Sequence, residues 1–482
     1  MRNHRQPPTK GIVSARSRRH AERAVLLLMA AFLLCFASLP TKTAHALSIA
    51  DETQMGREFV DKIRAHYEIM DDEFVNKFMN DLGQYLLSTL ETRHFPFRFY
   101  VLKSDMVNAF AAPGGHIFFF SGLIEVMDTA DELASIVCHE IGHISARHLS
   151  HRIEQSKKIN YATLAAMLAG VLLGGAGPVA EALIIGSQAA SMQAQLHYSR
   201  NDERQADQLG FKYIAPTGFK RTGLITALQK IQKGSYYGSN RIPSYLLTHP
   251  TGPERMANIS SLVANASFRN PSPKAIHFGL QFPYFKSVVR ARSMDPDDAM
   301  RSFEFDLKED PHSPAANFGI GIVYTEMSEY GKAIEHLAFA YRRKPGFAPI
   351  ITALGEAYQL NGNDQKALQV LNETLDREPT NKQALFLAGR SYQNMGACSM
   401  AVHFYERVTA LPGYNKPDVY YQLGLCYGKE NRLARAHYNF GLYFKELRQP
   451  PKAEFHFRKA RELAVDDPVL QRKIEEAFGP KK

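Results

Sequence analysis

Three polar residues stand in an otherwise apolar run: His139, Glu140 and His143, within "IVCHEIGHISARH" (136–148). A buried helix excludes ionisable groups unless they are paired or hold a metal. Residues four apart on a helix differ by about 40° of rotation, so both imidazoles project from one face. That spacing lets two ring nitrogens reach one zinc ion at about 2.1 Å each. Glu140, beside the first ligand, is placed to hold an attacking water and accept its proton. The apolar neighbours Ile136, Val137 and Ile141 then bury the helix and dry the site. The plainer alternative is a buried helix with two satisfied histidines. A third ligand decides between them.

A catalytic zinc takes three protein ligands and keeps one position open. His148 is the nearest offer, but five residues beyond His143 it sits about 140° around a continuous helix. His151 and His197 have no spacing in their favour, and Cys138 points about 100° away from His139. A metzincin would carry Gly and His where this chain has Ala146 and Leu149, which excludes that family. The segment "HYSRNDERQADQLGF" (197–211) offers more. Glu203 and Asp207 lie four apart on a second helix, and Glu203 would complete a His₂Glu set. Asp207, one turn on, would accept a hydrogen bond from a ligand imidazole and fix its tautomer. Without the histidines, "DERQAD" would read as a solvated helix face.

The elements that must position these groups are few. An amphipathic helix is expected over Asp72–Leu90, strands at 97–104 and 116–122 with "APGG" (112–115) as the turn, and helices over 130–150 and from Ser199 to Tyr213. That mixture describes an α+β domain over 47–270. If "HIFFFSG" (116–122) is an edge strand, an extended peptide could pair with it, though core packing explains its phenylalanines equally well. Between the two ligand helices, residues 161–192 are apolar but broken by Gly174, Gly175, Gly177 and Pro178. Each half is short for a span, so the expectation is a hairpin that covers the cleft or dips into a membrane surface.

The C-terminal half repeats. Gly321, Gly355 and Gly389 are each 34 apart and Gly424 follows at 35, with Tyr324, Tyr358, Tyr392 and Tyr427 three residues after each. Ala333, Ala367, Ala401 and Ala436 keep the same phase at twelve residues. This is tetratricopeptide grammar, expected over 280–478, and such arrays grip peptides or partner proteins. Gly441 and Ala453 restart the phase early, so one helix there would serve two units.

The formal charge of +10 suggests nucleic acid, but its location argues against that partner. Seven Lys/Arg precede an apolar run (24–39) that ends near "AHA" at 44–46, the pattern of a cleavable signal peptide over 1–46. Removing it takes eight of the 58 basic and one of the 48 acidic residues, which leaves a formal charge of +3. The expected destination is the periplasm; an uncleaved anchor is the alternative, and the run is slightly short for one. Of the remaining cysteines, Cys398 and Cys426 are open to pairing or to burial as free thiols.

"HEIGH" followed some sixty residues later by "SRNDERQAD", with "NAFAAPGGHIFFFSGLI" (108–124) before both, resembles the zinc-peptidase family of the CAAX prenyl-protein protease and the heat-shock protease HtpX. The resemblance implies an α+β zincin-type metalloprotease domain followed by an all-α tetratricopeptide superhelix. It implies one Zn²⁺ on His139, His143 and Glu203, with Glu140 as the base and Asp207 as the second acidic position. Gln205 stands where many members carry Glu. "THPTGPER" (248–255) is similar to a segment whose His closes over the zinc, which makes His249 a candidate fourth ligand or transition-state contact and Arg255 a candidate oxyanion or substrate contact. With an export signal and a repeat array, the resemblance further implies a protease that degrades stalled outer-membrane β-barrel proteins. It would also assist their assembly in a chaperone-like role, with the repeats docking substrate or the assembly machinery. The competing expectation is a proteolytically silent scaffold with a structural metal site.

Overall fold

The computed structural model describes residues 47–155, 198–237, 243–267, 270–412 and 417–478. The expected signal segment 1–46, the apolar stretch 161–192 and His197 lie outside the described residues. The first helix, α1 (Ile49–His66), opens on a capping box between Ser48 and Asp51, and α2 (Glu73–Leu87) opens on the Asp72 carboxylate, which accepts from Val75 N at 3.1 Å. A three-stranded sheet follows: β1 (Arg98–Leu102), β2 (Ala109–Ala112) and β3 (His116–Phe120). The turn over Pro113–Gly115 joins β2 to β3, with Gly114 at φ 73°. β3 pairs in parallel with β1 (Arg98 opposite His116) and antiparallel with β2 (Ala112 opposite His116).

That order corrects one expectation. β3 is the central strand, paired on both sides, and all five of its residues are buried. Phe118 stacks on Tyr100 at 4.8 Å and on Phe110 at 5.1 Å between ring centroids. The phenylalanines therefore fill the core, and β1 and β2 are the outer strands. Strand identity is a local property, but strand order is set by connections the residues of β3 do not encode.

Beyond α3 (Ser121–Val126) comes the buried helix α4 (Ala130–Ser145). Thr129 and Glu132 close its capping box, and Lys230 reaches the Glu132 carboxylate at 2.6 Å. The helix expected to run to residue 150 stops earlier. Arg147 adopts φ 53°, a left-handed conformation, and its Nε donates to the buried Glu52 Oε1 at 2.8 Å. The chain turns there and restarts as α5 (His148–Gln155). Next come α6 (Arg200–Ile214), capped by Ser199, then α7 (Gly223–Tyr237), α8 (Ser244–Thr248) and α9 (Pro253–Ala264).

α4 and α6 cross closely at two glycines. A methyl group added at Gly142 would lie 2.7 Å from the Ala206 carbonyl oxygen, and one at Gly210 would lie 3.1 Å from the His139 nitrogen. Side chains at either point would hold the two helices apart.

α10 (Pro273–Ser293) lies between the sheet domain and the repeats: Phe285 stacks on Phe78 at 4.3 Å, and Tyr284 meets Phe347 at 4.7 Å. The helices α11 (Pro296–Glu309), α12 (Pro314–Glu326), α13 (Tyr330–Arg343), α14 (Ala348–Leu360), α15 (Asp364–Arg377), α16 (Lys382–Asn394), α17 (Cys398–Thr409), α18 (Asp418–Lys429), α19 (Leu433–Glu446), α20 (Pro450–Leu463) and α21 (Pro468–Phe478) follow. The repeat glycines have a single physical role. Gly321, Gly355, Gly389, Gly424 and Gly441 each receive the side chain sixteen residues on: Leu337, Leu371, Tyr405, Phe440 and Phe457. A methyl group at any of them would come within 2.5–2.7 Å of that side chain. α19 packs against both α18 and α20, so it serves two units.

The repeats grip the sheet domain through α2. The Glu73 carboxylate accepts from the first backbone N–H groups of α16, at 3.3 Å from Lys382 and 2.7 Å from Gln383, while Arg292 pairs with Asp72 at 2.9 Å. Cys138, Cys398 and Cys426 are buried free thiols. Among the described residues no helix is long and apolar enough to cross a membrane.

The crossing of α4 and α6 carries a prediction. Gly142→Ala should destabilise the chain by about 1–3 kcal/mol, because the added methyl overpacks a backbone contact. It should also weaken metal uptake by pushing Glu203 away from the histidines. Urea unfolding and a metal titration on the same sample check both effects.

Candidate metal centre

Four donors converge from three segments. α4 supplies His139 and His143, α6 supplies Glu203, and His249 ends α8 as its C-cap residue. One ligand atom from each lies within 4.8 Å of all the others, and the four residues are buried. His139 Nε2 is 3.1 Å from His143 Nε2 and 3.3 Å from His249 Nδ1. Glu203 Oε1 is 3.3 Å from His143 Nε2 and 3.0 Å from His249 Nδ1, and Glu203 Oε2 is 3.5 Å from His139 Nε2.

These separations test the fit of a cation. Donors around a tetrahedral ion at about 2.05 Å stand about 3.3 Å apart. Five donor contacts fall at 3.0–3.5 Å, near that edge length, with both oxygens of Glu203 taking part, and all four donors lie within 4.8 Å of one another. Lone pairs held this close in a dry interior repel unless a positive charge lies among them. The set of three imidazoles and one carboxylate suits a borderline divalent ion.

The groups behind the donors orient them. Asp207, one turn beyond Glu203, places Oδ1 2.9 Å from His139 Nδ1, and a carboxylate this close favours the proton on that nitrogen and leaves the Nε2 lone pair for the cluster. Arg255 binds both oxygens of Asp207 at 2.9 Å and Glu203 Oε2 at 2.6 Å. Its Nη1 also faces the carbonyls of His249 and Pro250, each at 3.4 Å. In this geometry the guanidinium braces the carboxylates and the His249 turn. The contact with an oxyanion or substrate expected of Arg255 is not one this arrangement makes, because all three of its nitrogens face acceptors inside the protein.

Electrostatics follow from burial and these pairings. Burial raises the Glu140 carboxyl above its ordinary range. Burial would raise Glu203 too, but the charges of His249 and Arg255 and the bonds to His139 and His143 outweigh it and hold that carboxyl well below the usual range. Asp207 is lowered against burial by its bond to His139 and by Arg255. Glu140 is fully buried, neither of its oxygens has a hydrogen-bond partner among the described residues, and His249 Nε2 lies 3.6 Å from its Oε1.

Of the other sequence candidates, His151 is exposed and outside the cluster. His148 is buried and lies behind His143, with 3.0 Å between their Nδ1 atoms. Two aromatic walls were not expected from the sequence: Tyr198 lies over His143 at 3.8 Å between ring centroids, and Tyr245 stacks on His249 at 4.5 Å. Tyr245 is four residues before His249, a spacing that could have suggested the contact. Tyr198 reaches the site only through the path of the chain.

Residues 76–263 match the model of peptidase family M48, and residues 324–390 match that of the tetratricopeptide repeat. The chain is 32% identical over 219 residues to the beta-barrel assembly-enhancing protease of Escherichia coli, covering 45% of each chain. It is 32% identical over 236 residues to the protein of that name in Yersinia pestis, covering 49% of this chain and 48% of that one. It is 28% identical over 200 residues to the mitochondrial metalloendopeptidase OMA1 of Arabidopsis thaliana, covering 42% of this chain and 38% of that one. The matches thus span half or less of the length of these relatives.

The brace behind His139 makes a testable demand. Asp207→Ala should weaken binding of a divalent ion 10- to 100-fold, since it frees the tautomer of His139 and leaves the Arg255 charge facing the ligand carboxylate alone. Competition against a chromophoric chelator reads the change; an affinity equal to wild type would contradict it.

Proposed function

We propose, from the match of residues 76–263 to the peptidase family M48 model, that this chain is an exported zinc-dependent endopeptidase whose repeats dock protein partners. The observation that carries the reading is the set of four buried donors within 4.8 Å of one another beside a buried Glu140 that no described residue hydrogen-bonds. His139, His143 and Glu203 would hold the zinc, and His249 would be the fourth donor when no substrate is present. When bound, zinc supplies the Lewis acidity that polarises a peptide carbonyl. Glu140 takes the proton of the attacking water and delivers it to the leaving amine, a role favoured by the upward shift its burial imposes. Arg255 keeps Glu203 and Asp207 ionised and aimed.

Substrate entry requires α8 to move. The backbone N–H of Tyr245 donates to the Val107 carbonyl at 3.0 Å, just before β2, so the segment that ends in His249 also covers the start of an outer strand. Displacing it would free the fourth donor position and the strand together. An extended substrate would then pair along β2 rather than β3.

The proposed substrates are misassembled or stalled outer-membrane β-barrel proteins. Support comes from the names of the Escherichia coli and Yersinia pestis relatives and from the repeat array. We place the protein in the periplasm on the strength of the pattern over 1–46, with the repeats contacting substrate or the β-barrel assembly machinery in a chaperone-like role. A peripheral membrane contact through 161–192 is part of the same reading. The silent-scaffold alternative leaves Glu140 without a use.

The test compares wild type, Glu140→Gln and Glu203→Ala for zinc content and casein cleavage. Glu140→Gln should keep its zinc and lose 10²- to 10⁴-fold in rate, whereas Glu203→Ala should lose zinc. Equal cleavage by all three would remove the enzyme reading.

A further inference from the structure

We infer that His148 is a positioning residue for the metal: through a relay closed by Gln205, it fixes His143 in the tautomer that presents a lone pair to the ion. This rests on the zinc reading above and adds two residues to it.

His148 Nε2 lies 3.0 Å from Gln205 Oε1 and 3.9 Å from Asp202 Oδ1. The Gln205 amide oxygen can only accept, so that nitrogen carries the hydrogen, and the Asp202 carboxylate, beyond hydrogen-bond reach, favours it by its charge alone. In the neutral ring, His148 Nδ1 is then an acceptor. Its partner at 3.0 Å is His143 Nδ1, which must therefore donate. The hydrogen of His143 is thereby held on the far side of its ring. Its Nε2 lone pair faces the cluster, 3.1 Å from His139 Nε2 and 3.3 Å from Glu203 Oε1. The opposite tautomer would point an N–H at the ion and abolish the ligand.

The fold is built to deliver this contact. On a continuous helix His148 would sit about 140° away from His143. The left-handed turn at Arg147, held by the buried carboxylate of Glu52, folds the chain back so that His148 lies beneath His143. Gln205 sits on α6 two residues after Glu203. One helix thus supplies both a metal ligand and the acceptor that ends the relay, and the crossing of α4 and α6 sets both at once. Asp207 faces His139 Nδ1 directly, whereas Gln205 reaches His143 Nδ1 through a second imidazole.

The test uses the full chain stripped of metal and titrated with zinc against a chromophoric chelator. Cobalt(II) absorption spectra and metal-free melting temperatures are recorded alongside. The variants are His148→Ala, Gln205→Leu and Gln205→Glu. His148→Ala and Gln205→Leu should weaken zinc binding 10- to 100-fold and shift the cobalt ligand-field bands. Gln205→Glu should bind at least as tightly as wild type, because a carboxylate is the stronger acceptor. The Gln205 variants should melt within a few degrees of wild type in the metal-free state. Zinc affinities of His148→Ala and Gln205→Leu within twofold of wild type would overturn the relay while leaving the peptidase reading intact. So would a loss matched by an equal fall in metal-free stability in both Gln205 variants, which would mark a structural role only. A wild-type chain that takes up no zinc would overturn the metal reading, and the relay with it.

Discussion

The close crossing of α4 and α6 is the constraint on which the rest of the structure depends. Two glycines, Gly142 and Gly210, let one backbone approach the other to within a methyl group's width. At that distance the carboxylate of Glu203 reaches the imidazoles of His139 and His143. Every later feature of the site follows from it. Asp207 and Gln205 fall behind the two histidines because they ride on the same helix as Glu203, and Arg255 is drawn in by the two carboxylates.

The site is also a problem of charge in a dry interior. Glu140, Glu203 and Asp207 are buried together, with Arg255 as the cation that binds two of them. A dication among the donors would balance what remains. The protonation preferences agree. Burial pushes Glu140 up. His139, despite burial, is held at about 9 by its bonds to Asp207 and Glu203. Both shifts take up protons where a metal charge would otherwise act. His249 belongs to this balance as well, because it is fully buried and touches both Glu203 and the Glu140 side of the cluster.

What the sequence discloses depends on how local the cause is. His139, Glu140 and His143 could be read because one helix and one spacing create their relation. Glu203 and Asp207 could be read as a pair for the same reason, but their meeting with the histidines depends on a tertiary crossing that neither helix announces. The repeat phase was plain, yet what each glycine admits, a side chain sixteen residues on, is visible only in the packing. His148 was set aside on the premise of a continuous helix. Neither Ala146 nor Arg147 is a residue type that signals a helix stop, and the turn depends on Glu52, ninety-five residues earlier. The strand over 116–120 was evident in its composition, but its central place rests on a parallel pairing with β1 that no nearby residue records. The resemblance offers Arg255 as a candidate oxyanion or substrate contact, whereas in the fold it pairs with Glu203 and Asp207 of α6.

The central claim is that two imidazoles of one buried helix and a carboxylate of another surround a single divalent ion. X-ray absorption at the zinc edge of the metal-loaded full chain tests it most directly. The account predicts a nitrogen and oxygen shell at about 2.0–2.1 Å with the multiple scattering of at least two imidazoles and no sulfur. A shell containing sulfur from Cys138, or one of oxygens alone without imidazole scattering, would contradict it.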